Sequence, residues 1–120
     1  MTSVLLVDDS PTILMSLSAL LTKHGFAVRT AKDGADALKQ VAAAVPDLVI
    51  SDLNMPGMNG IAFLREVRRV PGMRFTPVLI LTTESQAEAR AEAKAAGATG
   101  WLVKPFDPPK LLDVVKKVIG

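Results

Sequence analysis

Asp52 closes a short apolar run, Leu48-Val49-Ile50-Ser51, and Asn54, Pro56 and Gly57 follow it at once. Three other runs end in chemically capable residues. Val4-Leu5-Leu6-Val7 ends in Asp8-Asp9, Val78-Leu79-Ile80-Leu81 in Thr82-Thr83, and Gly100-Trp101-Leu102-Val103 in Lys104. If the run ends meet, three carboxylates gather, and carboxylates held close raise one another's pKa unless a cation intervenes. A hard divalent ion with oxygen ligands is the remedy. Mg²⁺ is usually held by one or two carboxylates, with waters and a phosphate completing its octahedron. Mn²⁺ fits the same ligands, whereas Ca²⁺ needs more than these loops supply. Asp8, Asp9 and Asp52 are the candidate ligands, with the Asn54 backbone carbonyl as a fourth. A carboxylate is also a nucleophile toward phosphorus, and phosphoryl transfer needs chiefly positioning and neutralisation of the equatorial oxygens. Asp52, the lone acid on its run, is the candidate nucleophile. Lys104 is a positive clamp, and Thr82 offers a hydroxyl to a further oxygen.

Each apolar run is bounded by turn residues, as a buried strand is, and helical patterns separate them. Ser10 and Pro11 suit the cap and first position of a helix carrying Ile13, Leu14, Leu17, Leu20 and Leu21, which Gly25 ends. Phe26–Thr30 reads as a further strand. Asp33-Gly34 opens a helix through Val41 that stops before Pro46, and Asn59-Gly60 opens another with Ile61, Phe63, Leu64 and Val67. Pro71-Gly72 marks a loop. Ser85 is a candidate cap for an Ala-rich helix ending at Gly97. Asp107 and Pro108 start the last helix, striped by Leu111, Leu112, Val115, Val118 and Ile119. Five strand–helix repeats predict an α/β fold: a (βα)5 doubly wound parallel sheet covered on both faces. Right-handed crossovers leave few topologies. The flavodoxin-like order 2-1-3-4-5 is borrowed from known sheets of this kind rather than derived. In such sheets ligands bind outside the carboxyl ends of the strands, where Asp8, Asp9, Asp52, Thr82 and Lys104 all fall.

The bulk properties narrow the function classes. A chain of 120 residues fits one domain, residues 1–120, and 49% hydrophobic content argues against disorder. The absence of cysteine excludes disulfides and thiolate metal sites and fits the cytoplasm. No run reaches membrane-span length, and a signal-peptide pattern is missing. A net charge of +2 with scattered basic residues argues against nucleic acid as a partner. The one basic cluster, Arg65, Arg68 and Arg69, reads as a solvated helix face. His24 sits at a helix end, where a cation is mildly favoured, and Met55, Met58 and Met73 read as loop packing. No extended exposed apolar surface stands out, so a monomer is expected.

Val7-Asp8-Asp9, Asp52 through Gly60, Leu81-Thr82-Thr83-Glu84 and Lys104-Pro105-Phe106 together resemble the response-regulator receiver domain, over the whole chain. The stretch from Gly97 to Phe106 is similar to the single-domain chemotaxis (CheY-like) type. The resemblance implies phosphorylation of Asp52 by a phosphohistidine on a sensor histidine kinase. It implies Mg²⁺ at Asp8, Asp9, Asp52 and the Asn54 carbonyl, Lys104 on the phosphoryl group, and an accessible cis peptide before Pro105. It further implies output to a partner such as a flagellar motor switch protein, or removal of the phosphoryl group by a phosphatase. Catalysis is then limited to the domain's own phosphorylation and dephosphorylation. Trp101 occupies the family's switch-aromatic position, commonly Tyr or Phe. The switch expected is a population shift: the Thr82 hydroxyl moves toward the phosphoryl group, and Trp101 fills the vacated space.

Other function classes fit these residues less well. A metal-dependent phosphohydrolase would need an acid–base group beside the nucleophile, and Asn54 cannot serve. A flavin or nucleotide binder would need a phosphate loop after the first strand, where Asp8-Asp9 repels phosphate. A phosphate sink for a shared kinase and a receiver that binds partners without phosphorylation are the remaining alternatives; the intact acid–lysine set argues against the last.

Overall fold

The computed structural model describes residues 2–55, 57–83, 87–104 and 107–119. Within them β1 (Ser3–Val7), α1 (Pro11–Lys23), β2 (Ala27–Ala31), α2 (Gly34–Ala43), β3 (Leu48–Ser51), α3 (Gly60–Val67), β4 (Val78–Thr82), α4 (Ala87–Ala95), β5 (Gly100–Val103) and α5 (Pro108–Ile119) alternate along the chain. The strands form one parallel sheet in the order β2-β1-β3-β4-β5. The expected (βα)5 flavodoxin-like sheet is therefore observed. The expectations for Glu84, Ser85, Pro105 and Phe106 lie outside the described residues.

The local signals act as chemistry requires. The Ser10 hydroxyl accepts from the Ile13 N–H at 3.4 Å, the Asp33 carboxylate from the Asp36 N–H at 2.8 Å, and the Asn59 side chain from the Ala62 N–H at 2.8 Å. Each satisfies an N–H that the helix itself leaves open. At the end of α1, Gly25 takes φ +90°, and the N–H groups of Gly25 and Phe26 return to the carbonyls of Thr22 and Leu21. That turn starts β2 at Ala27, one residue later than the Phe26 expected from the apolar pattern.

Alternation along the strands splits the core. Val4, Leu6, Leu48, Ile50, Leu79 and Leu81 pack with Leu17 and Leu21 of α1 and Leu111 and Val115 of α5. Leu5, Val7, Val49 and Val78 pack on the other face with Ala37 and Val41 of α2 and Phe63, Leu64 and Val67 of α3. The central strands β3 and β4 are buried throughout, while β2 and β5 at the edges are partly exposed. Met55 and Met73 belong to the core, as packing residues.

One expectation is overturned. Arg68 is not part of a solvated face. Its guanidinium donates to the carbonyls of Met73 (2.8 Å), Thr76 and Gly97 (2.7 Å). It thereby fastens the end of α3 to the approach to β4 and to the turn after α4. Burial lowers its pKa from the ordinary arginine value, yet a guanidinium in contact with three carbonyls keeps its charge. Arg68→Met is expected to leave these carbonyls short of donors and to cost about 2–3 kcal/mol in urea unfolding. Arg68→Lys should recover only part of that loss, because an ammonium lacks the planar fork. Full stability of Arg68→Met would contradict the bracing role.

Candidate functional site

The sheet register builds the site. Val7 of β1 lies opposite Ser51 of β3, so the next residue on each strand is an acid, Asp8 beside Asp52. The parallel ladder continues through both. The Asp52 N–H donates to the Val7 carbonyl at 2.8 Å, and the Asp8 N–H to the Ala31 carbonyl at 3.1 Å. Thr82 lies opposite Val103, and the Lys104 N–H donates to the Thr82 carbonyl at 2.6 Å. Backbone hydrogen bonds of the sheet thus fix the stems of these residues independently of any side-chain contact.

The side chains converge. One carboxylate oxygen each from Asp8, Asp9 and Asp52 lies within 4.8 Å of the others. Asp8 and Asp52 are buried, at 3% and 8% exposure, while Asp9 is exposed. The Lys104 ammonium sits 2.9 Å from Asp8 Oδ2 and 3.5 Å from Asp52 Oδ1. Asp8 also accepts from the Ser10 N–H at 2.9 Å through Oδ1, which orients it and links it to the start of α1. Thr82 is fully buried at the end of β4. Asp8, Asp9, Asp52, Thr82 and Lys104 are brought to one edge, as the sequence predicts.

Burial, followed by the neighbouring Asp8 carboxylate, raises the Asp52 pKa above the ordinary aspartate value. Lys104 and the backbone N–H groups of Asn54 and Leu53 pull the other way without cancelling the rise. Nothing in the sequence singles out those two N–H groups, because no side-chain type marks them. The loop that carries them is shaped by Gly60, whose N–H donates to the Leu53 carbonyl at 2.6 Å. A Cβ on Gly60 would stand 2.5 Å from the Asp52 carbonyl oxygen and 2.7 Å from the Leu53 Cα. Only glycine lets α3 begin this close to the backbone of the nucleophile candidate. Asn54 itself is exposed in that loop.

Trp101 stands apart from the acids. It pairs across the sheet with Ile80 of β4 and packs against the cluster of Leu53, Ile61, Ile80 and Ala93. Its indole Nε1 is buried without a hydrogen-bond partner among the described residues. Trp101 is thus packed against a cluster that also holds Leu53, the residue that follows Asp52. Trp101 is half-buried on β5, with a polar atom left unsatisfied among the described residues.

With this geometry in place, comparison with known proteins settles the class. The chain belongs to the response regulator receiver domain family, whose model matches residues 4–116, and is a receiver domain of two-component signalling. It is 37% identical over 120 residues to Protein PilH of Pseudomonas aeruginosa, covering 100% of this chain and 99% of that protein. It superposes on chemotaxis protein CheY4 of Vibrio cholerae with a TM-score of 0.95 and 48% identity, covering 98% of each chain. The receiver domain of sensor histidine kinase PA1611 from Pseudomonas aeruginosa PAO1 gives a TM-score of 0.92 at 28% identity, covering 99% of this chain and 98% of that one. That structure has a magnesium ion coordinated in its active-site cleft. Several other curated relatives are longer, and this chain spans 24% to 48% of their length.

The raised Asp52 pKa has a stability consequence whose sign is fixed. The native state holds this proton to higher pH than the unfolded chain does. The contribution therefore favours folding below the ordinary aspartate value of 3.8 and is lost as pH rises through the native value. In metal-free buffer at neutral pH, Asp52→Asn should melt at higher temperature than the wild type, with the difference shrinking as pH falls toward about 4. Added MgCl₂ should raise the melting temperature of the wild type more than that of the variant. Equal melting temperatures at neutral pH would contradict the geometry.

Proposed function

We propose that this receiver accepts a phosphoryl group on Asp52 from the phosphohistidine of a sensor histidine kinase, and that the modified state changes its binding to a partner. The observation that carries this reading is the position of the Lys104 ammonium, 2.9 Å from Asp8 and 3.5 Å from Asp52, inside a cluster of three carboxylates. A structural ion pair needs one acid. Three clustered acids, two of them paired with one lysine at the carboxyl edge of a parallel sheet, suit a group that brings negative charge and a cation together.

The residues take distinct parts. An oxygen of Asp52 attacks phosphorus in line with the kinase imidazole. The new O–P bond forms as the P–N bond breaks, and the imidazole nitrogen keeps the electron pair and takes a proton from solvent. The N–H groups of Leu53 and Asn54 hold the Asp52 carboxylate in place, which is the positioning on which phosphoryl transfer depends. Lys104 pairs with an equatorial oxygen of the transferred group, and the Thr82 hydroxyl donates to another.

Mg²⁺ suits the donor set, which is all oxygen, charged, and clustered within 4.8 Å; Mn²⁺ suits it as well. Asp8, Asp9 and Asp52 would hold the ion, with the Asn54 carbonyl as the further ligand. When bound, it supplies positive charge against the phosphoryl oxygens. The magnesium in the PA1611 receiver supports this assignment.

The switch runs from Thr82 to the Leu53–Ile80–Trp101 cluster. Thr82 is two residues beyond Ile80, and Leu53 is next to Asp52, so movement at either reaches the face around Trp101. Chemotaxis is the output we assign, supported by the likeness to CheY4, with a flagellar motor switch protein or a phosphatase as partner and the cytoplasm as location. No helix among the described residues is long and apolar enough to cross a membrane. In this reading the domain is not an enzyme acting on other molecules; it catalyses only its own modification.

Incubation with Mg²⁺ and acetyl phosphate, followed by intact mass measurement, tests the proposal. An acid-stable, base-labile phosphoryl adduct is expected in the wild type and in Thr82→Ala, and none in Asp52→Asn. Partner affinity should respond to phosphorylation in the wild type but not in Thr82→Ala. Absence of the adduct with both acetyl phosphate and a phosphorylated sensor kinase as donor would overturn it.

A further inference from the structure

The edge of the sheet opposite Asp52 carries the most exposed large apolar side chain among the described residues, Phe75, at 87%. Its loop is braced. Met73 is buried in the core, and the Arg68 guanidinium holds the carbonyls of both Met73 and Thr76. The Thr76 hydroxyl donates to the Gly72 carbonyl at 3.4 Å. The backbone is therefore pinned on both sides of Arg74-Phe75, and the ring stands out from it into solvent. The Arg74 guanidinium carbon lies 5.4 Å from the ring centroid, so the cation travels with the ring.

Beside this knob lies a groove of about 570 Å³, lined by Thr2, Asp47, Pro77, Val118 and Ile119 together with Phe75 itself. The Asp47 Oδ2 atom accepts from the Ser3 N–H at 2.8 Å and the Ser3 hydroxyl at 3.3 Å, which fixes the carboxylate at the groove. Knob and groove adjoin on one surface, with a cation at the knob and an anion at the groove. That is the arrangement an isologous contact uses twice, residue i meeting j while j meets i.

We propose that this edge binds a second copy of this chain. Phe75 of each copy enters the groove of the other over Pro77, Val118 and Ile119, and the accompanying Arg74 meets Asp47. Stable protein pairs bury about 800 Å² on each partner, more than one aromatic knob and a few groove residues provide. The association is accordingly weak, with a Kd on the order of 100 μM. The monomer expected from the sequence then holds at low concentration only. Because the contact lies across the sheet from Asp52, it leaves the acid cluster open and does not depend on phosphorylation.

Sedimentation velocity of the full chain from about 10 μM to about 1 mM tests this with wild type, Phe75→Asp, Arg74→Glu and Asp52→Asn. Phe75 and Arg74 are both exposed, so their variants should keep the wild-type melting temperature. Mass is expected to rise toward a dimer in the wild type and equally in Asp52→Asn. Arg74→Glu should be weakened at least tenfold, and Phe75→Asp should remain a monomer throughout. A wild type that stays monomeric, or a dimer that persists in Phe75→Asp, overturns the proposal, including the case in which this edge serves a different protein. Neither result bears on whether Asp52 is phosphorylated.

Discussion

A single ammonium, that of Lys104, stands between two buried carboxylates that the sheet forces together. Asp8 and Asp52 occupy neighbouring positions because Val7 and Ser51 are paired in a parallel register, and neither residue can withdraw without breaking that ladder. Two buried anions side by side are costly. Lys104 offsets part of this, yet Asp52 remains harder to ionise than an ordinary aspartate. The site is left short of positive charge, and this deficit is what makes it chemically useful. In the proposed function a divalent ion meets this deficit and makes room for the phosphoryl group.

The rest of the molecule reads as support for that edge. Gly60 allows α3 to start against the backbone of Asp52 and Leu53, and Asn59 caps that helix. Ser10 caps α1 with its hydroxyl while its N–H orients Asp8. Local capping and site geometry are thus served by the same few residues. At the far edge Arg68 ties the approach to β4 to the turn after α4, which holds one end of α4.

Much of this is legible in the sequence, for physical reasons. Buried parallel strands show as continuous apolar runs, and their carboxyl ends share one edge, so the run ends alone gather the acids, Thr82 and Lys104. Strand order is borrowed rather than derived, since local pattern carries little information about which strands pair. Arg68 is misread from its neighbours in sequence because its role depends on carbonyls up to 29 residues away, and a carbonyl has no side-chain signature. The start of β2 slips by one residue because the Gly25 turn keeps Phe26 for its own hydrogen bond. The sequence places Trp101 correctly at the face around β5. Its packing in the unmodified chain depends on the fit against Leu53, Ile80 and Ala93, which spacing alone does not reveal.

In the proposed function Lys104 and a divalent cation compete for the same carboxylates. Calorimetric titration of Mg²⁺ into the wild type and Lys104→Met tests this most directly, because methionine keeps the apolar stem and removes only the charge. Removing an ammonium 2.9 Å from Asp8 and 3.5 Å from Asp52 should tighten Mg²⁺ binding by about tenfold or more, a difference of about 1.4 kcal/mol. Affinity that is unchanged or weaker in Lys104→Met, or no Mg²⁺ binding to either protein, would contradict the account.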